Sequence, residues 1–423
     1  MKRMKHIKHL KNFIEAQSSG GILLLLMAAL AVWIANSPMA SMYQSFLHMP
    51  LGPLSVELWV NDVLMAIFFL GVGLEVKHEM VDGALNTPSK RFLPSIAALM
   101  GVLAPAGIYY WFTSAQPELI RGWAIPTATD IAFSIGIISL LGSRVPVAAK
   151  VFLTTLAVVD DLIAILIIAV AYTESFNFLF MGGAIAVLVA LVILNKRGVI
   201  APWPYIILGV ILWFCIFKSG LHATMAGVLL AMTIPTKGTP KKAVQDAKSL
   251  AQADGGEAQQ VAKAGRTDEE ADEVNPLMDW EHALSNWITF LIVPLFGFVN
   301  AGVSFGDFQL SDLQHPVLLG IALGLFVGKQ VGIFGILLLL VKTKLVPMPK
   351  PMTWMHIYGV SLCCGVGFTM SLFVDLLAFP PGHAQELAKV GIFIGSIVSG
   401  VLGYLVLRYM APDMSKKKAE VLS

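Results

Sequence analysis

The chain has 423 residues, of which 57% are hydrophobic and only 13% charged, and its mean hydropathy is +0.76. Soluble domains carry about 25% charged residues, so this balance excludes a soluble globular protein and specifies an all-α polytopic membrane protein. The formal net charge of +2 says little, because the placement of charges matters more than their sum; no nucleic-acid partner is expected.

Within residues 1–19, Met1–Lys11 is basic and precedes an apolar run, as in a signal peptide, but no convincing cleavage site follows. The segment 1–19 reads as a cytoplasmic N-terminus. Apolar runs then fall at roughly 20–36, 58–77, 92–113, 122–141, 147–172, 178–195, 203–218 and 220–235. Four more follow at roughly 283–303, 317–341, 355–379 and 388–410. About 20 residues cross a bilayer, so these predict spans one to eight within 20–235 and spans nine to twelve within 280–410. Residues 236–279 are hydrophilic without apolar periodicity and read as a flexible cytoplasmic linker. Residues 411–423 form a polar C-terminal tail. Almost all of the 29 Lys and Arg fall in alternate connections on the side of the N-terminus. Arg121, Lys218 and Lys389 lie on the other side, and Lys329 lies within a span. Twelve spans with both termini cytoplasmic follow from that bias.

Spans three to five begin inside and spans ten to twelve outside, so the two triplets run in opposite directions. The middle member of each is interrupted, by Pro126-Thr-Ala-Thr-Asp130 in span four and by Cys364-Gly-Val-Gly-Phe-Thr369 in span eleven. Paired interrupted spans predict inverted repeats, with the two broken helices crossing at the midplane and the site at their crossing.

Charges at depth are the functional signal. Asp130, Asp160 and Lys329 each lie about 12–20 Å into their spans at 1.5 Å per residue, near the middle of a core about 30 Å thick. Acids there mark ion or proton pathways by default. A structural ion pair is the plainer alternative, but one lysine does not neutralise Asp130, Asp160 and Asp161 together. Asp160 and Asp161 are adjacent, so on a helix they diverge by about 100°. One of them can meet Lys329 while the other faces an aqueous cavity beside Asp130. With the Thr127 and Thr129 hydroxyls and freed carbonyls, they make an oxygen-rich site suited to a hard monovalent cation or to protons. The cysteines Cys215, Cys363 and Cys364 show neither metal nor disulfide spacing. No cofactor is called for.

Gly365 and Gly367 can serve helix packing, but with Phe368-Thr369 opposite span four they favour an unwound crossing buried in protein. Asp130 would steady the N-terminal half-helix ends there, and Lys329 the C-terminal ends. Glu75, His78 and Glu79 share one helix face at the cytoplasmic end of span two, where a solvated helix end is the plain reading. His222 is as much a packing or capping residue as a functional one. Asp375, near the outer end of span eleven, is expected within snorkelling reach of water, as a structural residue or a weak attractor of cations.

Together, the stretches VGLEVKHE (72–79), GWAIPTATDIAF (122–133), LAVVDDL (156–162), KSGLHATMAG (218–227), FGFVNAGVS (296–304), GKQVGI (328–333) and GVGFTMS (365–371) resemble the NhaA-type Na+/H+ antiporters of bacterial inner membranes. The resemblance covers nearly the whole chain, and that family is itself a known case of inverted-repeat architecture. It implies a transporter, not an enzyme, that exports Na+ or Li+ electrogenically against entering protons, under pH control. Asp160 and Asp161 would be the cation- and proton-binding pair, and so the Na+ ligands. Asp130 and Thr129 would lie at the crossing, and Lys329 would partner Asp160. Glu75, Glu79, Glu281 and His282, with His78, would line a pH-responsive cytoplasmic funnel. A homodimer is implied as well.

The chain departs from the family pattern in several places. His78 stands where Arg is usual, Ser285 where a second funnel His is usual, and Gln330 where Pro follows the key lysine. The linker 236–279 is unusually long. The first outer loop, Pro38–Glu57, looks too short for the β-hairpin that pairs protomers. Two other readings compete: a Na+-coupled symporter of an organic solute on the same scaffold, and an intramembrane aspartyl protease. The protease lacks its sequence pattern here, since Val159 precedes Asp160 and Phe368 follows Gly367, and Lys329 has no part in its chemistry.

Overall fold

The computed structural model describes residues 19–83, 85–173, 177–236, 275–306, 308–349 and 351–412. The expected terminal segments and almost all of the linker 236–279 lie outside the described residues. Helix α1 (Ser19–Ala35) turns by 118° into α2 (Ala40–Leu47). A small antiparallel hairpin follows, β1 (Pro50–Leu51) with β2 (Leu54–Ser55), Pro50 facing Ser55 and Leu51 facing Leu54. Its turn places Gly52 at φ +72°, a conformation that favours glycine. The loop expected to be too short for a hairpin therefore holds one, two residues per strand.

The Ser55 side chain then accepts the Leu58 amide and starts α3 (Val56–Val81), as an N-cap serine does. Next come α4 (Pro88–Thr113), a tight 3-10 segment (Pro117–Thr127), α5 (Ile131–Leu140), α6 (Val147–Ala171), α7 (Phe178–Lys196), α8 (Pro202–Ser219) and α9 (Met225–Thr233). After the linker come α10 (Pro276–Asn300) and α11 (Pro316–Lys342). The last three are α12 (Trp354–Cys363), α13 (Phe368–Ala378) and α14 (His383–Met410).

Among the described residues, eight helices are long and apolar enough to cross a membrane, or up to eleven if each of three bent pairs is one span. The run 220–235, expected as span eight, accounts for part of the difference from twelve. Gly220, at φ +91°, ends α8, and α9 is only nine residues long, about 13 Å against a core of about 30 Å. Lys77 of α3 closes α9 by donating to the carbonyls of Met232 (2.7 Å) and Ile234, a cation on the negative helix end.

Burial ranks the helices from centre to rim. The most apolar window of α6 is 61% buried and that of α14 is 56%, against 11% for α7 and 22% for α8. Helices apolar all round but little buried face lipid. Helix α6, which carries Asp160 and Asp161, is in the middle.

Glycines set the depth of the centre. Along α11, Gly324, Gly328 and Gly332 recur every fourth residue and so form one stripe. A methyl built on them would overlap Pro126, Pro105 and the Met100 carbonyl respectively. This is the small-residue packing that lets membrane helices touch backbone to backbone, and it seats Lys329 between α4 and the break before α5. The turns on either side of Lys329, Gly324–Gly328 and Gln330–Phe334, are widened to π-helical geometry, which recurs at functional positions. Replacing Gly332 by Val should lower the stability of the detergent-solubilised protein by about 1–3 kcal/mol or more through overpacking. Gly335→Ala, on the same helix but with open space around its Cβ, should melt like wild type in the same thermal scan.

Candidate functional site

The site begins with two broken helices. The 3-10 segment and α5 are bent by 42° at residues 128–130, and α12 and α13 by 43° at 364–367. Each break frees backbone groups that water cannot reach, and an unsatisfied amide or carbonyl at that depth is costly. The two breaks satisfy one another. The Asp130 amide donates to the Val366 carbonyl at 2.7 Å. The Thr129 hydroxyl donates to Cys364 O at 2.9 Å, and the Ser134 hydroxyl to Cys363 O at 2.8 Å. Ser396 of α14 accepts the Gly367 and Phe368 amides, both at 3.2 Å.

Asp130 is at the centre of this exchange. One carboxylate oxygen accepts the Phe133 amide (2.9 Å) at the start of α5. The other accepts the amide (3.1 Å) and hydroxyl of Thr369 at the start of α13. It thus lies on two helix N-termini at once, where a negative charge is favoured. The opposite polarity is met by Lys329, whose ammonium donates to the Thr127 carbonyl at the end of the 3-10 segment. Gly365 and Gly367 are here because of crowding: a Cβ at Gly365 would press on the Leu325 carbonyl and Ser399, and one at Gly367 on Ser371.

Lys329 also donates to Asp160 Oδ2 at 2.9 Å. Lys329 is 0% exposed and Asp160 1%. Asp160 faces Thr129 as well, and its Oδ1 has no hydrogen-bond partner. Asp161 points elsewhere. It feels the charges of Asp160, Glu75, Asp130 and Lys329, and its Oδ1 is buried without a partner. With Asp130 and Thr369 it lines a cavity of about 250 Å3 that runs past Glu75 to Glu281 and Ser285. No cluster of three or more His, Cys, Asp and Glu with metal-holding geometry occurs among the described residues, so these acids act as a spread-out pair and neighbour.

The expected funnel residues divide. Glu75 and Glu281 line the cavity, and His78 Nδ1 is 2.9 Å from Glu281 Oε2. Glu79, one residue further round α3, lies against the Gly83 turn. His282 is exposed. The Thr127 hydroxyl turns back to Ala124 O at 2.7 Å, so this residue offers its carbonyl to the site and not the expected hydroxyl. His222 approaches Tyr172 O at 3.2 Å and lines a second cavity, of about 410 Å3, on the opposite side.

Asp375 overturns its expectation. It is 0% exposed, because its face of α13 packs on the 3-10 segment, where Ser371 one turn earlier donates to Ile125 O at 2.8 Å. Sequence reasoning also missed Ser134, Ser371 and Ser396. Their only signal was a serine in an apolar run, and membrane helices often use serine simply as a small residue. The reciprocal amide pair Asn61–Asn300 (2.8 and 3.1 Å) was missed too.

The Lys329–Asp160 contact yields a stability prediction. Lys329→Ala leaves a buried carboxylate unpaired and should cost about 3–5 kcal/mol, read as a fall in melting temperature. Lys329→Gln combined with Asp160→Asn should recover most of it. A single mutant that melts like wild type would remove the pair from the account of stability.

Comparison with known proteins places this arrangement. The family model for Na+/H+ antiporter 1 matches residues 11–407. The chain is 47% identical over 407 residues to the Na(+)/H(+) antiporter NhaA of Nitrobacter hamburgensis, covering 96% of this chain and 93% of the relative. It is 47% identical over 398 residues to that of Rhizobium etli, covering 94% and 95%. It is 46% identical over 406 residues to that of Brucella abortus, but spans only about half, 52%, of that protein. The sodium proton antiporter MjNhaP1 of Methanocaldococcus jannaschii aligns with a TM-score of 0.51 over 96% of this chain and 99% of its own, at 17% identity, a likeness of fold alone. Matched along nearly its whole length, the chain belongs to the Na+/H+ antiporter 1 family, as its motifs imply.

Proposed function

We propose that the chain exchanges cytoplasmic Na+ or Li+ for protons entering from outside, with Asp160 and Asp161 binding cation and protons in turn. The observation that carries this reading is an imbalance of charge. Three carboxylates and one lysine are buried within one site, so at least one acid is left to find a mobile positive charge. Asp161 is the first of these, since Lys329 is committed to Asp160 and Asp161 lines the cavity. A Na+ ion entering past Glu281 and Glu75 meets Asp161 with Asp130 behind it. Closer engagement with Asp160 competes with Lys329 for that carboxylate. When the cation leaves, protons take its place. More protons than Na+ per cycle makes the exchange electrogenic, as the family resemblance implies.

The cavity volume supports an ion over an organic solute. About 250 Å3 is smaller than the 300–1,000 Å3 of typical small-molecule sites. Alternating access has a physical barrier to work on. Phe373 lines the second cavity, while Thr369, one turn earlier on α13, lines the first. Phe373 packs its ring on Phe69 (5.2 Å between centroids) and Phe296 (6.3 Å). The site is thus open toward His78 and closed toward His222, and an inverted pair of repeats built on the two broken helices would reverse that. Both termini and the linker 236–279 belong on the cytoplasmic face of a bacterial inner membrane in this reading, from the Lys/Arg bias. A homodimer belongs to it on family grounds alone.

Asp160→Asn and Asp161→Asn should each abolish or severely weaken Na+-driven proton movement in everted membrane vesicles, while folded protein remains in the membrane. Near-normal exchange in both would end the antiporter reading.

His78 generates a pH prediction. Histidine titrates near neutrality and arginine does not. His78 Nδ1 lies 2.9 Å from Glu281 Oε2, and an arginine there would keep a permanent positive charge at the mouth that Glu281 and Glu75 form for Na+. His78→Arg should therefore weaken apparent Na+ affinity chiefly on the alkaline side. Superimposable Na+ titrations of wild type and variant across pH would return His78 to the role of a plain helix-end residue.

A further inference from the structure

One buried acid has no part in the cycle above. Asp375 has no exposed surface, and neither of its carboxylate oxygens has a hydrogen-bond partner. It lies six residues beyond Thr369 on α13, about 9 Å further along the helix, on the far side of the crossing from Glu281. Among the described residues, the charged and titratable groups that act on it come from three elements. Lys389 is on α14, Tyr109 is on α4, and Tyr172 is at the end of α6. Arg121, on the 3-10 segment, acts on Tyr172. Neither tyrosine hydroxyl is spent on the carboxylate: Tyr109 donates to Leu119 O and Tyr172 to Arg121 O, both at 2.7 Å.

An ionised carboxylate needs donors, a close counter-charge or water. Asp375 has no donor and no water-exposed surface, and no salt bridge joins it to Lys389. Such a group must hold a positive charge of its own. A Na+ ion needs several oxygen ligands at once. A proton needs only the carboxylate. The supply is adjacent. Leu376 and Leu377, the next two residues of α13, line the 410 Å3 cavity on the side opposite Glu281, and Lys389 lines it too.

We propose that Asp375 is a second proton-binding site, outward of the Asp160–Asp161 pair, which takes a proton from the Lys389-lined cavity and passes it along α13 toward the crossing. The step is a proton transfer only: the carboxyl O–H forms from a proton of the outer solution and breaks when the proton moves inward. It rests on the antiporter reading, and it assigns a separate residue to the outer limb of the proton path.

The test uses the full-length protein in proteoliposomes, with Na+ and pH fixed on the inner side and pH varied outside. Asp375→Asn keeps the shape but carries no proton. It should reduce proton-limited Na+ efflux by roughly tenfold or more and alter its dependence on outer pH. Half-saturation by inner Na+ should stay unchanged, and Asp375→Glu should restore the outer-pH profile. An unaltered outer-pH profile in Asp375→Asn overturns the proposal. Infrared difference spectra provide a readout that does not depend on turnover or on Asp375→Asn folding. Wild type at neutral pH should show a carboxylic-acid C=O band that shifts in Asp375→Glu, and absence of such a band overturns the proposal as well. Failure of wild type itself to exchange Na+ for protons would instead reject the antiporter reading, and the infrared band would still report on Asp375.

Discussion

A backbone broken at bilayer depth must find partners for every amide and carbonyl it releases, and the centre of this protein is arranged around that requirement. The two breaks are placed side by side so that the carbonyls of Cys363, Cys364 and Val366 accept from Ser134, Thr129 and Asp130. Two helix N-termini are left pointing at one spot and a C-terminal carbonyl at another. Asp130 fills the first and Lys329 the second. Charge enters the membrane here because the half-helix ends stabilise it.

That scaffold is what makes Asp160 and Asp161 useful. On an unbroken apolar helix, adjacent aspartates would have nothing to compensate them. Here, helical geometry sends one to Lys329 and the other to the cavity, and in the proposed exchange the two serve as anchor and as acceptor. The lysine is committed twice, to Asp160 and to the Thr127 carbonyl, so in the proposed exchange a cation that competes for Asp160 would also loosen a contact between α11 and the first broken helix. In that proposed cycle, ion binding and helix movement would be linked through this one ammonium group.

Packing supplies the precision this needs. The stripe of Gly324, Gly328 and Gly332 brings α11 against α4 and the first break with no side chain between, which fixes the lysine's reach. Gln330 adds a second hold: it donates to Phe326 O at 2.7 Å and accepts from Tyr358 at 2.6 Å, tying the widened turns beside Lys329 to α12. A proline at that position would lack the side-chain amide and the contact with Tyr358.

Much of this was legible in the sequence because the bilayer is a severe solvent. Asp130, Asp160, Asp161 and Lys329 stand out in runs that should hold no charge, and Pro126, Gly365 and Gly367 mark where the helices break. Hydropathy located the apolar runs for the same reason, but it does not say how much of a run is helical: Gly220 and the short α9 leave only part of 220–235 in a helix. Direction was beyond its reach. Depth along a helix follows from counting residues, whereas the facing of a side chain depends on which helix packs against it. Only the tertiary structure turned the Thr127 hydroxyl away and its carbonyl inward, left His282 exposed, set His78 on Glu281, recruited Ser396 from α14 and enclosed Asp375. Sequence alone determined which residues are costly to bury, since that is a property of each side chain in hydrocarbon. The fold decided which of them share a partner, since that depends on contacts between segments far apart in the chain, such as Asp130 and Thr369, which are 239 residues apart.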